Sequence, residues 1–148
     1  MNVKVLVALA CCSLATAVPA LAGSAPPPVV ATALAVGTMK ATTVHAQSGS
    51  MIFEQFTVKP GGSFGWHKHG AAVAVVVASG TLTVFDATVN GCQPFKVGHG
   101  QSFVEPANHV HLARNDGTTT ARVYAVYLGV PASSQANAGA AQPPGCKA

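Results

Sequence analysis

Charge is scarce in this 148-residue chain: Asp and Glu number 4 and Lys and Arg 8, together 8% of the sequence. The basic residues past the first few positions are Lys40, Lys59, Lys68, Lys96, Arg114, Arg122 and Lys147, with no run among them and no interleaved aromatic platform. That removes the electrostatic footprint nucleic-acid binding requires, so no nucleic-acid partner is expected. Long apolar runs are also lacking. After the N-terminal stretch nothing approaches about 18 uninterrupted apolar residues, so no membrane span is expected. There is no Cys/His pair in a recognisable setting and no phosphate-gripping glycine loop, which leaves a cysteine nucleophile and phosphoryl transfer without support. Amphipathic helical spacing and internal repeats are missing as well.

What is present begins with an export signal. Met1-Asn2-Val3-Lys4 gives a positive start, Val5 to Val18 is largely apolar, and Ala20-Leu21-Ala22 is a small-residue cleavage site: residues 1–22 read as a secretory signal peptide. Cys11 follows Ala8-Leu9-Ala10, a poor lipobox that leaves the apolar core too short for a lipoprotein. The mature chain then begins at Gly23, in a periplasm or outside the cell. Without Lys4 it carries seven basic and four acidic residues, a net charge of +3. Only Cys92 and Cys146 remain of the 4 cysteines. In an oxidising compartment they are a disulfide candidate, closing a loop of about 55 residues for roughly 4 kcal/mol in the chain-entropy model. Two free thiols or a bridge between chains stay open at this point, because Cys92 sits in a turn and Cys146 follows a Pro-Gly segment. A redox or substrate-binding thiol at Cys92 is the weaker reading.

Composition divides the rest into three zones. Residues 23–50 form a Pro/Ala-rich linker, with Ala25-Pro26-Pro27-Pro28 stiff and Thr32 to Thr38 a candidate edge strand. Residues 51–131 are the folded domain, and 132–148, rich in Ala, Ser, Gln, Gly and Pro, are expected to be disordered. Within the domain, strands are expected at Met51 to Lys59, Phe64 to His69, Ala72 to Ala78, Thr81 to Asp86, Gln93 to Lys96, Gln101 to Glu105, His109 to Arg114 and Thr118 to Leu128. Val, Thr and Phe dominate these runs and Gly, Asn and Asp the turns between, which predicts an all-β sandwich or barrel. Phe53, Phe56, Phe64, Trp66, Phe85, Phe103, Tyr124 and Tyr127 are expected in the core, some of them lining the barrel mouth.

Four histidines fall in two short segments of this region, Trp66-His67-Lys68-His69 and Pro106-Ala107-Asn108-His109-Val110-His111. Residues i and i+2 of a strand share a face, so His67 and His69 present two imidazoles side by side, and a third can come from a neighbouring strand. Imidazole suits several transition metals, so ligand type does not choose among them. The wider spacing runs Gly61, five residues, His67-Lys68-His69, three residues, Val73, six residues, Gly80; then Gly100, five residues, Pro106, Ala107, Asn108, two residues, His111, three residues, Asn115. It resembles the two motifs of the cupins, G-x5-H-x-H-x3/4-E-x6-G and G-x5-P-x-G-x2-H-x3-N, over roughly residues 52 to 130. The resemblance implies a single-domain cupin-type jelly-roll β-barrel, with a divalent transition metal (Fe, Mn, Cu, Ni or Zn) on His67, His69 and His111. It also implies turns shaped by Gly61, Gly80, Gly100 and Pro106, a motif closed by Asn115, a small-molecule ligand or substrate, and a homodimer paired through edge strands.

Two positions depart from the motifs. Asn108 replaces a glycine, a mild change because asparagine tolerates a left-handed backbone. Val73 replaces the glutamate, which leaves a neutral three-histidine set and a divalent ion with its full charge and an open position. Glu105, before Pro106, could supply the missing carboxylate or orient a ligand imidazole; a solvated strand end is the simpler reading. His109 could be a substitute ligand or an acid/base behind the ligands, a solvent-facing turn residue being simpler; His45 and His99 read as loop residues and Arg114 as outward-facing. Function stays open among three readings. One is an oxidoreductase of dioxygenase type, as in the three-histidine thiol dioxygenases, although no substrate-orienting arginine or tyrosine is identifiable. The others are a noncatalytic metal- or ligand-binding barrel and a structural scaffold.

Overall fold

The valine-rich run Ala72–Ser79 is apolar at nearly every position, so it suits the middle of a sheet better than an edge. In the computed structural model, which describes residues 30–148, it is an inner strand of a four-stranded antiparallel sheet. Among the described residues the strands are β1 (Ser50–Val58), β2 (His67–Lys68), β3 (Ala72–Ser79), β4 (Thr81–Asp86), β5 (Phe95–Gly98), β6 (Ser102–Glu105), β7 (His111–Arg114), β8 (Ala121–Val130) and β9 (Ala138–Gly139). One sheet has the order β1-β8-β3-β6 and the other β5-β4-β7-β2-β9. The expected signal peptide and the Ala25–Pro28 stretch lie outside the described residues.

Alternation along β8 shows how the sheets meet. Ala121, Val123, Ala125 and Tyr127 are buried while Arg122 is exposed and Tyr124 and Val126 are half-buried, the period of two that places one strand face in a core. Those side chains pack with Val73, Val75 and Val77 of β3 against Leu82 and Val84 of β4, so one apolar core lies between the two sheets. This is the jelly-roll arrangement, and the two sheets do not join into a closed barrel. Gly80 makes the β3–β4 crossing tight: its φ is +72°, and a Cβ there would lie 2.7 Å from the Ala121 Cα. Asn108 takes φ +64° where the motif has glycine.

Several expectations are corrected. Thr32 to Thr38 form no strand; Thr38 alone makes a parallel bridge to Gln101, and Leu34 and Val36 remain exposed. Phe53 is 68% exposed, because it sits on the outward side of β1 at the edge of its sheet. The C-terminal residues 132–148 also differ from the expected disorder. Ala138 and Gly139 pair with Lys68 and His67, extending the five-stranded sheet by one strand. Cys146 is bonded to Cys92, with 5.2 Å between their Cα atoms. The bonded pair packs with Phe85, Leu112 and Trp66 into a second apolar cluster, so the cysteine anchors a tail whose composition alone would leave it loose. Among the described residues no helix is long and apolar enough to cross a membrane.

Candidate metal centre

His67 and His111 are directly paired across β2 and β7, and His69 lies two residues beyond His67 on the same face, so register alone brings three imidazoles together. The backbone of His69 is tied to the second motif through the Asn108 N–H, which donates to the His69 carbonyl at 2.8 Å. All three side chains are buried, at 8%, 2% and 1% exposure, and one nitrogen of each lies within 4.8 Å of the others. The ring centroids are 4.4 to 4.9 Å apart.

Each ring is held by a backbone carbonyl. His67 Nδ1 faces Gly65 O at 2.9 Å, His69 Nδ1 faces Ala136 O at 2.9 Å, and His111 Nδ1 faces His109 O at 3.0 Å. A carbonyl can only accept, so each Nδ1 must carry the proton, and each neutral ring keeps its lone pair on Nε2. Three Nε2 lone pairs therefore share one buried pocket, which is the donor set and tautomer that a transition metal takes from imidazole. Burial favours the neutral form of His67 and lowers its pKa, with the Gly65 hydrogen bond opposing. The residues present fit a metal.

Glu105 is not the solvated strand end of the simpler reading. Its carboxylate, 11% exposed, places Oε2 3.0 Å from His69 Nε2 and Oε1 3.2 Å from His111 Nε2. His109 contributes its carbonyl rather than its ring. The imidazole turns away, half-exposed, and its Nδ1 donates to Thr88 Oγ1 at 3.0 Å, with Asp86 Oδ2 at 3.9 Å. His45 and His99 are exposed, and Arg114 stacks over Phe85 on the outer face and donates to Asp116.

Beside the histidines lies a chamber of about 30 Å³, room for one or two water-sized molecules. Phe56, Phe64, Phe103, Val123 and Tyr127 line it with Asn137, and no Lys or Arg does. The Tyr127 hydroxyl donates to Asn137 Oδ1 at 3.2 Å, and its ring lies 5.3 Å from that of His69. Burial pushes its pKa up against the Asn137 hydrogen bond, with the carboxylates of Glu54 and Glu105 adding to the rise, so the phenol keeps its proton. Tyr127 is thus the tyrosine that sequence reading did not identify at the site; parity along β8 points it inward, but nothing local distinguishes it from a core aromatic. Asn137 and the Ala136 carbonyl come from the tail and leave no sequence signal.

Residues 54–127 match the family model described as Cupin domain. The fold is similar to that of an oxalate oxidase, with a TM-score of 0.51 and 23% identity over 60% of this chain and 45% of that one. It is similar to a structure of the DMSP lyases RdDddP and RnDddQII, with a TM-score of 0.53 and 20% identity over 62% of this chain and 45% of that one. A conserved protein with a double-stranded beta-helix domain from Klebsiella pneumoniae subsp. pneumoniae MGH 78578 gives a TM-score of 0.51 and 17% identity over 66% of this chain and 83% of that one. The chain spans less than half the length of the oxalate oxidase and lyase chains, and the likeness is one of fold. No curated protein matches the sequence.

Proposed function

Because the chain belongs to the cupin family, we propose that it is an exported metalloprotein holding one divalent transition metal on His67, His69 and His111 and acting on a small molecule at that metal as an oxidoreductase. The observation that carries this reading is the convergence of three buried Nε2 atoms whose partner Nδ1 atoms are each committed to a backbone carbonyl. A bound metal would supply a Lewis-acid or redox centre with open positions. The chain's own residues fix the imidazole tautomers, exclude bulk water with an apolar wall, and offer the protonated Tyr127 hydroxyl beside the site. A chamber this small favours a water- or dioxygen-sized ligand next to the ligating atoms. A dianion such as oxalate would find no lysine or arginine in the wall, so the oxalate chemistry named for one similar fold is not carried over. The same apolar wall favours a second reading, noncatalytic binding of metal or a small ligand.

Elemental analysis of the untagged mature protein, beside a His67→Ala/His111→Ala variant, tests the reading. One equivalent of iron, manganese, copper, nickel or zinc lost in the variant supports it, and metal-dependent oxygen consumption then separates catalysis from storage. Absence of metal from both proteins contradicts it.

A further inference from the structure

Val73 stands where the cupin motif carries its glutamate, and the residue directly across the β3–β6 ladder from Val73 is Glu105. Opposed residues of an antiparallel pair project from one face of the sheet. A carboxylate at 105 therefore enters the space that one at 73 would enter, and Glu105 does so, touching Nε2 of both His69 and His111. Among the described residues it forms no ion pair with a lysine or arginine.

The proton count gives these contacts their meaning. Every Nδ1 proton is already donated to a carbonyl, so in the neutral rings nothing lies between Glu105 and the two nitrogens it faces. His69 Nε2 and His111 Nε2 themselves face each other at 3.2 Å. Four electron-pair donors crowd one pocket, an arrangement that is repulsive until a cation stands among them, be it a metal ion or, in the metal-free protein, a proton added to an imidazole.

We infer that Glu105 is the fourth metal ligand, a carboxylate carried by β6 in place of the one absent from β3. The inference rests on the metal-binding reading above. It makes the centre three imidazoles and one carboxylate rather than a neutral three-histidine set. A divalent ion there has one unit of its charge neutralised, the donor set moves toward metals that accept oxygen, such as manganese and iron, and the pull on anions weakens. The ligand class that fits is a small neutral or singly charged molecule.

The test is a chelator-competition titration of the full mature protein with manganese(II) and cobalt(II), reading affinity and the visible spectrum of the cobalt form. Glu105→Gln keeps the shape and removes the charge. It is expected to weaken binding by more than the about 10–100-fold typical of losing a residue behind a ligand, and to change the cobalt spectrum. Glu105→Asp, which keeps the charge but withdraws it by one methylene, is expected to fall between, and it carries the comparison if Glu105→Gln does not fold. Adding Val73→Glu to Glu105→Gln is expected to recover part of the affinity. Equal affinity and an unchanged spectrum in Glu105→Gln overturn the inference while leaving the three-histidine reading intact. An unsubstituted protein that binds neither ion overturns both.

Discussion

Asn115 is fully buried and every polar atom of its side chain is used. Nδ2 donates to Val58 O and Thr119 O, each at 2.8 Å, and Oδ1 accepts from the Gly117 N–H at 2.9 Å, so one residue joins the end of β1 to the loop before β8. Asn115→Ala leaves the buried Val58 carbonyl unpartnered and removes the bonds to the more exposed Thr119 carbonyl and Gly117 N–H, and is expected to cost about 1–3 kcal/mol in denaturant unfolding. A second residue-scale prediction concerns pH in the metal-free protein. Burial acts to depress His111, but the Glu105 hydrogen bond and charge outweigh it and hold the ring above its ordinary 6.5. Burial acts to raise Glu105, and the hydrogen bonds from His111 and His69 overcome it, drawing the carboxyl from 4.5 to about 2. A raised base stabilises fully below its unfolded pKa and loses that contribution as pH rises through the folded one; a lowered acid stabilises fully above its unfolded pKa and loses it as pH falls through the folded one. The contact is therefore worth most between about pH 4.5 and 6.5. The Tm gap between the metal-free protein and its Glu105→Gln variant should be widest there and shrink on both sides; a gap independent of pH contradicts the assignment. Asn115 and the three histidines were legible because each holds a fixed place in one of two motifs whose spacing the sequence displays. Glu105 was not, because its approach depends on the pairing of β6 with β3, and a one-residue slip would turn it to the other face.

At the scale of elements, the strands were readable from Val, Thr and Phe runs between turn residues, and their ends drifted by a few positions, as where Gln93 to Lys96 became Phe95–Gly98. The tail was misread because two residues of strand and a single cysteine carry too little composition to outweigh Ala, Ser and Pro. Its order comes from long-range partners: Ala140 N–H donates to Trp66 O, the Ala136 carbonyl holds His69, and Cys146 reaches Cys92. Cys146→Ser should lower stability by up to about 4 kcal/mol, the entropy of closing a loop of this size. Because the tail orients a ligand, the same variant should also weaken metal binding. A tail that serves stability alone would lower the first quantity and leave the second unchanged, and titration of the folded variant decides between them.

For the whole molecule, the jelly roll followed from pattern and resemblance, whereas closure into a barrel did not, since it depends on how the sheet edges meet. Met51 and Phe53 are 70% and 68% exposed on β1, an edge strand whose outer side pairs with no strand among the described residues, and this pairing of features motivates the expected homodimer. Light scattering of the mature protein should give twice the monomer mass, falling to one in Phe53→Lys; a monomeric unsubstituted protein contradicts the expectation. Anomalous diffraction at the absorption edge of the metal found in the protein reads out whether that metal sits on three nitrogens of one kind. One peak is expected, within about 2.0–2.2 Å of Nε2 of His67, His69 and His111. A peak at Nδ1 atoms, at His109 and Asp86, or nowhere in the domain overturns the three-histidine site.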